Sequence, residues 1–127
     1  MTSSLTKSKD RIDQLGEVYT PASLVKEMLD QLPPEVWSDP TKTFIDPACG
    51  NGNFLVEVVT RKISCGSTPT QALSTTYGID IMEDNVSECR ARLLAATGNP
   101  AGGDLIVARN IRCANSLQVS PDTLWGE

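Results

Sequence analysis

The sequence predicts an α/β fold in which three parallel strands are wound with helices between them. Two patterns and one turn predict it. Short apolar runs, Thr43–Asp46 and Thr75–Ile81, alternate with segments whose apolar residues recur at helical spacing. Between the first run and the helical segment after it lies DPACGNGNF, Asp46–Phe54, with two glycines, a proline and an aspartate. Strands that alternate with helices run parallel, because each crossover needs a helix. Right-handed crossovers then set the strand order 3-2-1, which is one half of a doubly wound sheet.

The elements follow in order. Residues 1–15 are rich in Ser, Thr and Lys and predict a mobile N-terminal tail, leaving 16–127 as the domain. In GEVYTPASLVKEMLDQLPPE, Thr20 suits an N-cap and Pro21 the first helical position. Leu24, Val25, Met28, Leu29 and Leu32 keep helical spacing, and Pro33-Pro34 stops the helix, predicting 21–32. VWSDPTK reads as a loop and TFID as the first strand. Phe54, Leu55, Val58, Val59 and Ile63 then mark a helix ending near Cys65-Gly66, where glycine is a natural terminator.

GSTPTQALSTT connects, with a helical turn around Thr70–Leu73. TTYGIDI is the second strand. Glu83–Thr97 is a helix with Val86, Cys89, Leu93 and Leu94 on its apolar face, Glu83 and Asp84 at its positive end, and Arg90 and Arg92 later. Gly98-Asn99-Pro100-Ala101-Gly102-Gly103 is a break. Leu105–Ala108 and Ile111–Ala114 predict a third strand with a bulge between them, and NSLQVSPDTLWGE closes the chain.

Composition narrows the function. The chain has 127 residues, a net charge of −5 and no histidine, so histidine cannot serve as a base. Cys49, Cys65, Cys89 and Cys113 form no C-x-x-C pair, so no zinc site is expected, and Cys89 and Cys113 sit at positions expected to be core. No segment is apolar enough to span a membrane and the N-terminus lacks a signal-peptide core, which predicts a cytoplasmic protein with reduced thiols. The acidic balance is a poor footprint for a protein that grips nucleic acid unaided.

Ligands of such sheets sit at the C-terminal ends of the strands. Three groups converge there: the turn Asp46–Phe54, Asp80-Ile81 and Asn115-Ser116-Leu117. Glycines at 50 and 52 let the backbone approach a ligand, and the helix that follows offers free N–H groups. A carboxylate at Asp80 can accept both hydroxyls of a ribose. The turn lacks Gly-Lys-Ser/Thr and is not G-x-G-x-x-G, and Asp46 would repel a pyrophosphate but suit an ammonium group. A nucleoside carrying an amino acid matches all three groups. Each residue also has a plain structural role open to it: Asp46 capping its own turn, Asp80 capping the helix near Glu83, Asn115-Ser116 forming an ordinary turn.

Four segments in one order carry a family resemblance: Gly16–Pro21 (GEVYTP), Asp46–Phe54, Gly78-Ile79-Asp80 and Asn115-Ser116-Leu117. The chain resembles class I S-adenosylmethionine-dependent methyltransferases, specifically N6-adenine DNA methyltransferases similar to modification subunits of type I restriction systems. The resemblance implies a partial Rossmann-like methyltransferase sheet and S-adenosyl-L-methionine as cofactor. It implies that Tyr19 and Thr20 contact the methionine part, that Asp46, Ala48 and Gly50 line the amino-acid end, and that Asp80 holds the ribose. It further implies that Ile81 packs on the adenine and that Asn115, Ser116 and Leu117 close over its edge. The 34 positions from Asp46 to Asp80 exceed the roughly 20 of a minimal βαβ unit, the GSTPTQALSTT insert accounts for the excess, and the resemblance to this branch of the family accommodates longer gaps.

The (N/D/S)-P-P-(Y/F/W) motif with which that family activates the adenine amine is absent. The one Pro-Pro, at 33–34, follows Leu32 and precedes the first strand. No catalytic residue is therefore assigned within the chain, and stand-alone methylation of adenine in DNA is not expected. In the complete family fold a fourth strand pairs with the first. Here strand one is expected to be an edge covered by a second copy, by a protein partner, or by the tail from Leu117 onward. DNA is reached only through such a partner. The alternative is a non-catalytic S-adenosylmethionine-binding sensor, decoy or interaction protein, such as a phage or mobile-element product.

Overall fold

A computed structural model describes residues 21–126. The expected tail over 1–15, and Tyr19 and Thr20, lie outside the described residues. Ten elements follow among the described residues: α1 (Ala22–Leu29), α2 (Glu35–Ser38), β1 (Phe44–Asp46), α3 (Asn53–Ser64), α4 (Pro69–Ser74), β2 (Thr76–Asp80), α5 (Glu83–Ala96), α6 (Gly103–Asn110), β3 (Ile111–Cys113) and α7 (Pro121–Trp125). The three strands form one parallel sheet with β2 in the centre, pairing Phe44 with Thr76 and Gly78 with Ile111. This is the predicted α/β architecture and strand order.

Side chains alternate across the sheet. Phe44, Thr76, Gly78 and Ile111 face the helices. There Leu55 and Val59 of α3, Leu73 of α4, Val86, Cys89 and Leu93 of α5 and Val107 of α6 form the main core with Cys49 and Ile111. Gly78 is required by this packing, because a Cβ there would lie 2.7 Å from Leu55 Cδ1 and 3.0 Å from Cys49 Cβ. A second cluster, Val25, Leu29, Trp37 and Val58, seats α1 and α2 on α3. Arg61 joins these elements. It pairs with Asp30 at 2.7 Å, donates to Lys26 O and lies over the Trp37 ring.

Ile45, Tyr77, Ile79 and Arg112 alternate onto the other side. The described residues that cover it come from α7. Trp125 meets the Tyr77 ring edge-on with centroids 5.0 Å apart and donates from Nε1 to Arg109 O at 2.7 Å, and Arg112 donates to Leu124 O. The tail thus returns to the sheet, but onto the face of β2 rather than along the edge of β1. A groove of about 300 Å³ stays open between them, lined by Thr43, Ile45, Tyr77, Asp122 and Trp125. Phe44 N–H donates to Thr75 O, so alternation turns the N–H and C=O of Ile45 toward the outer edge, which no described strand pairs.

Several expectations need correction. Leu105–Ala108 is helical. At the register that pairs Ile111 with Gly78, these residues would lie opposite residues 72–75, where α4 is ending. With no ladder partner there, their backbone bonds inward as helix. Gly102, at φ +76°, starts that helix, and buried Val107 turns into the core. α1 begins after Pro21 and ends at Leu29. Leu32, which precedes Pro33, closes instead with an i→i+3 bond to Leu29 O. The first residues of VWSDPTK belong to α2, which buries Trp37, and the tail contains α7, capped by Ser120. The connector's helical turn is a full α4 with a Thr68–Gln71 capping box. Cys89 is core as expected, but Cys113, at the end of a three-residue strand, is exposed. Among the described residues no helix is long and apolar enough to cross a membrane.

Candidate cofactor site at the strand tips

The C-terminal ends of β1 and β2 each finish in an aspartate, and the glycine turn is bound to both. Asp46 Oδ1 accepts the Ala48 N–H at 3.0 Å. Cys49 N–H donates to Ile79 O at 2.8 Å and Gly50 N–H to Asp80 Oδ1 at 3.2 Å. Gly50 (φ +56°) and Gly52 (φ +97°) occupy left-handed backbone. A Cβ at Gly50 would meet open space, so glycine there serves conformation and access. At Gly52 a Cβ would strike Cys89 Sγ at 2.8 Å, so glycine there serves close packing on α5. Gly52 also caps α3, and its carbonyl accepts from Val56.

Asp80 carries several bonds at once. Its Oδ2 accepts Met82 N–H and Asn85 Nδ2, both at 3.0 Å, which holds the start of α5. Its backbone carbonyl accepts Ala114 N–H, which draws in the loop after β3. In that loop Asn115 Oδ1 accepts Leu117 N–H at 3.0 Å, making a side-chain turn. The structural roles open to Asp46, Asp80 and Asn115 are thus all realised. Beside them two apolar side chains stay in solvent, Ile81 at 58% exposure and Leu117 at 94%.

Two carboxylates at neighbouring strand tips make the site electronegative. Burial pushes the Asp46 carboxyl upward from its ordinary pKa. The Ala48 N–H opposes this, and the negative charge of Asp80 adds to it. The neighbouring Cys89 thiol and burial push the Cys49 thiol, behind the turn, up from its ordinary pKa, and its Sγ donates to Gly50 O at 3.6 Å. No cluster of potential metal ligands occurs among the described residues.

The structure gathers Asp46, Ala48, Gly50, Asp80 and Ile81 around one turn, with Asn115, Ser116 and Leu117 in the loop following β3. What sequence reasoning missed lies behind the turn. Arg92 donates to Asn51 O at 3.1 Å and Asn53 Oδ1 at 2.8 Å, and Asn51 donates to Glu88 at 3.3 Å. The available signal was the i,i+4 spacing of Glu88 and Arg92, which puts both on one helical face.

Comparison with known proteins identifies the family. The profile of the N-6 DNA Methylase family matches residues 5–102, well over half of the chain. The chain belongs to the N-6 DNA methylase family. A relative is the Type II methyltransferase M.VspI of Vibrio sp. (strain 343), 37% identical over 83 residues. That match covers 65% of this chain and 18% of the relative, so the chain spans less than a fifth of the relative's length. The matched residues include the glycine turn and both aspartates of this N6-methylase-like domain.

Proposed function

We propose that this chain is the S-adenosylmethionine-binding part of an N6-adenine DNA methyltransferase, and that the groups activating the adenine come from polypeptide outside these 127 residues. The observation that carries the reading is the Asp46–Gly50–Asp80 arrangement, in which an acidic pair flanks a glycine turn open to solvent at Gly50. The donor set fits the cofactor. Asp46 would hold the ammonium, and the exposed apolar Ile81 and Leu117 would flank the adenine, with Asn115 and Ser116 at its edge. A carboxylate offers about four acceptor positions, and Asp80 already receives three protein donors. The 3.2 Å bond from Gly50 is the longest of these and the one a ribose hydroxyl would displace. Bound there, the cofactor would supply the activated methyl group.

Methyl transfer itself is assigned to a complex. The exposed Ile45, the β1 edge that no described strand pairs and the groove beside Trp125 support coverage by a second copy or by a partner bearing the missing motif. With a net charge of −5, contact with DNA is assigned to that partner. The same charge favours, as a second reading, a cytoplasmic S-adenosylmethionine sensor or decoy, of the kind a restriction-modification locus or mobile element would carry. Methylation of adenine-containing DNA by the chain alone would sink the assignment of catalysis to outside residues.

The direct test is calorimetric titration with S-adenosylmethionine and S-adenosylhomocysteine, with ATP and NAD as controls. Saturable binding of the first two alone, weakened at least about tenfold by Asp80→Ala, is expected, the loss of a charge-assisted hydrogen bond being of that order. Absence of binding at millimolar ligand would overturn the reading.

A further inference from the structure

The glycine turn does not hold itself. Besides the 2.9 Å bond from Gly52 N–H to Cys49 O and the 2.8 Å bond from Val56 N–H to Gly52 O, residues 51–53 are gripped from α5. Arg92 Nη1 bridges Asn51 O and Asn53 Oδ1, one acceptor in the turn and one at the first residue of α3. Glu88, one helical turn earlier, accepts from Asn51, whose side chain is 1% exposed. Between these two contacts Cys89 lies against Gly52 so closely that no Cβ fits. The start of α5 is in turn bound to Asp80 through Met82 and Asn85. One helix therefore references both the turn and the strand-two aspartate.

The geometry points to Arg92 as a positioning residue for the cofactor turn, assisted by Glu88. It touches no ligand. It fixes the Asn51 carbonyl and the first residue of α3, so that the Gly50 N–H and the open backbone beside it are preorganised. Preorganisation raises affinity by removing the ordering cost from the binding step. This inference rests on the cofactor reading above, and its test separates the two.

Amide hydrogen exchange of residues 50–54 and S-adenosylmethionine titration are measured together at 25 °C on the wild type, Arg92→Ala, Arg92→Lys and Asn53→Ala. In Arg92→Ala, exchange across the turn is expected to accelerate about tenfold relative to Val58 and Val59 in the same helix. The dissociation constant should rise by a similar factor, as loss of a charge-assisted hydrogen bond implies. Arg92→Lys retains the charge on a shorter side chain that lacks the guanidinium nitrogen bridging both acceptors and should fall between, and Asn53→Ala, which removes one of the two acceptors, should lose about threefold.

Unchanged exchange and affinity in Arg92→Ala would overturn the inference. A uniform rise in exchange over the whole domain would also overturn it, since that is the signature of general destabilisation. If the wild type binds no S-adenosylmethionine, the cofactor reading fails while local exchange still decides the clamp. If Arg92→Ala does not fold, Asn53→Ala and Arg92→Lys decide it by the same two readouts.

Discussion

The two faces of the sheet are built very differently. One carries six helices, α1–α6, whose apolar residues pack with Phe44, Gly78 and Ile111, and there Leu55, Val58, Val59 and Ile111 have no exposure at all. The other shows Ile45 41% exposed, and α7 is seated there through one aromatic contact and two hydrogen bonds. The difference teaches where stability and interaction reside. The helical face supplies the buried apolar area that folds the domain. The other face, beside the β1 edge, is covered among the described residues chiefly by α7.

The largest expected effect lies on the helical face. Leu55 is fully buried between α3 and Gly78, so Leu55→Ala should lower stability by about 3 kcal/mol in a denaturant titration. A loss comparable to a surface substitution would break the contrast. Gly78→Ala approaches the same contact from the strand. Leu55 Cδ1 can swing aside but Cys49 Cβ cannot, and a cost of about 2 kcal/mol is expected from overpacking.

Trp125→Ala probes the sparse face. Loss of its edge contact with Tyr77 should cost about 1 kcal/mol, readable as a small drop in melting temperature. A cost equal to that of Leu55→Ala would mean that α7 is as integral as α3. Ile45→Lys should leave the isolated domain within about 0.5 kcal/mol of wild type, as exposed substitutions do. If the proposed partner at β1 is a second copy, light scattering at high concentration should show a dimer that Ile45→Lys abolishes, and a variant that still dimerises would move the interface away from β1.

The smallest expected stability effect has the opposite sign. Asp46 has a raised carboxyl pKa, so the folded state holds its proton more firmly than the unfolded chain. Stability therefore falls as pH rises from about 4 through the raised value. Asp46→Asn keeps an acceptor for Ala48 and removes the charge. It should melt slightly higher than wild type at neutral pH, converge with it below about pH 4, and lose cofactor binding. A variant less stable than wild type at neutral pH would show that the carboxylate is more than a functional strain on the fold.

The glycine turn between an acid-tipped strand and a helix was legible in the sequence because it is local chemistry. Gly50 and Gly52 sit in left-handed backbone, Asp46 and Asp80 end their strands, and α3 and α5 follow their apolar spacing. Parallel pairing and strand order followed from the alternation alone, since handed crossovers leave few topologies. Leu105–Ala108 could not be read the same way. Four apolar residues suit helix or strand equally, and the choice fell to a register in which they face the end of α4 instead of β2. The burial of Trp37 under α1, the return of Trp125 to Tyr77 and the reach of Arg92 to Asn51 and Asn53 were likewise decided only in three dimensions. Each joins residues distant in the chain, and such contacts leave no periodic trace among their sequence neighbours. By itself the sequence determined which residues stand at the strand tips, and tertiary packing decided what holds them there.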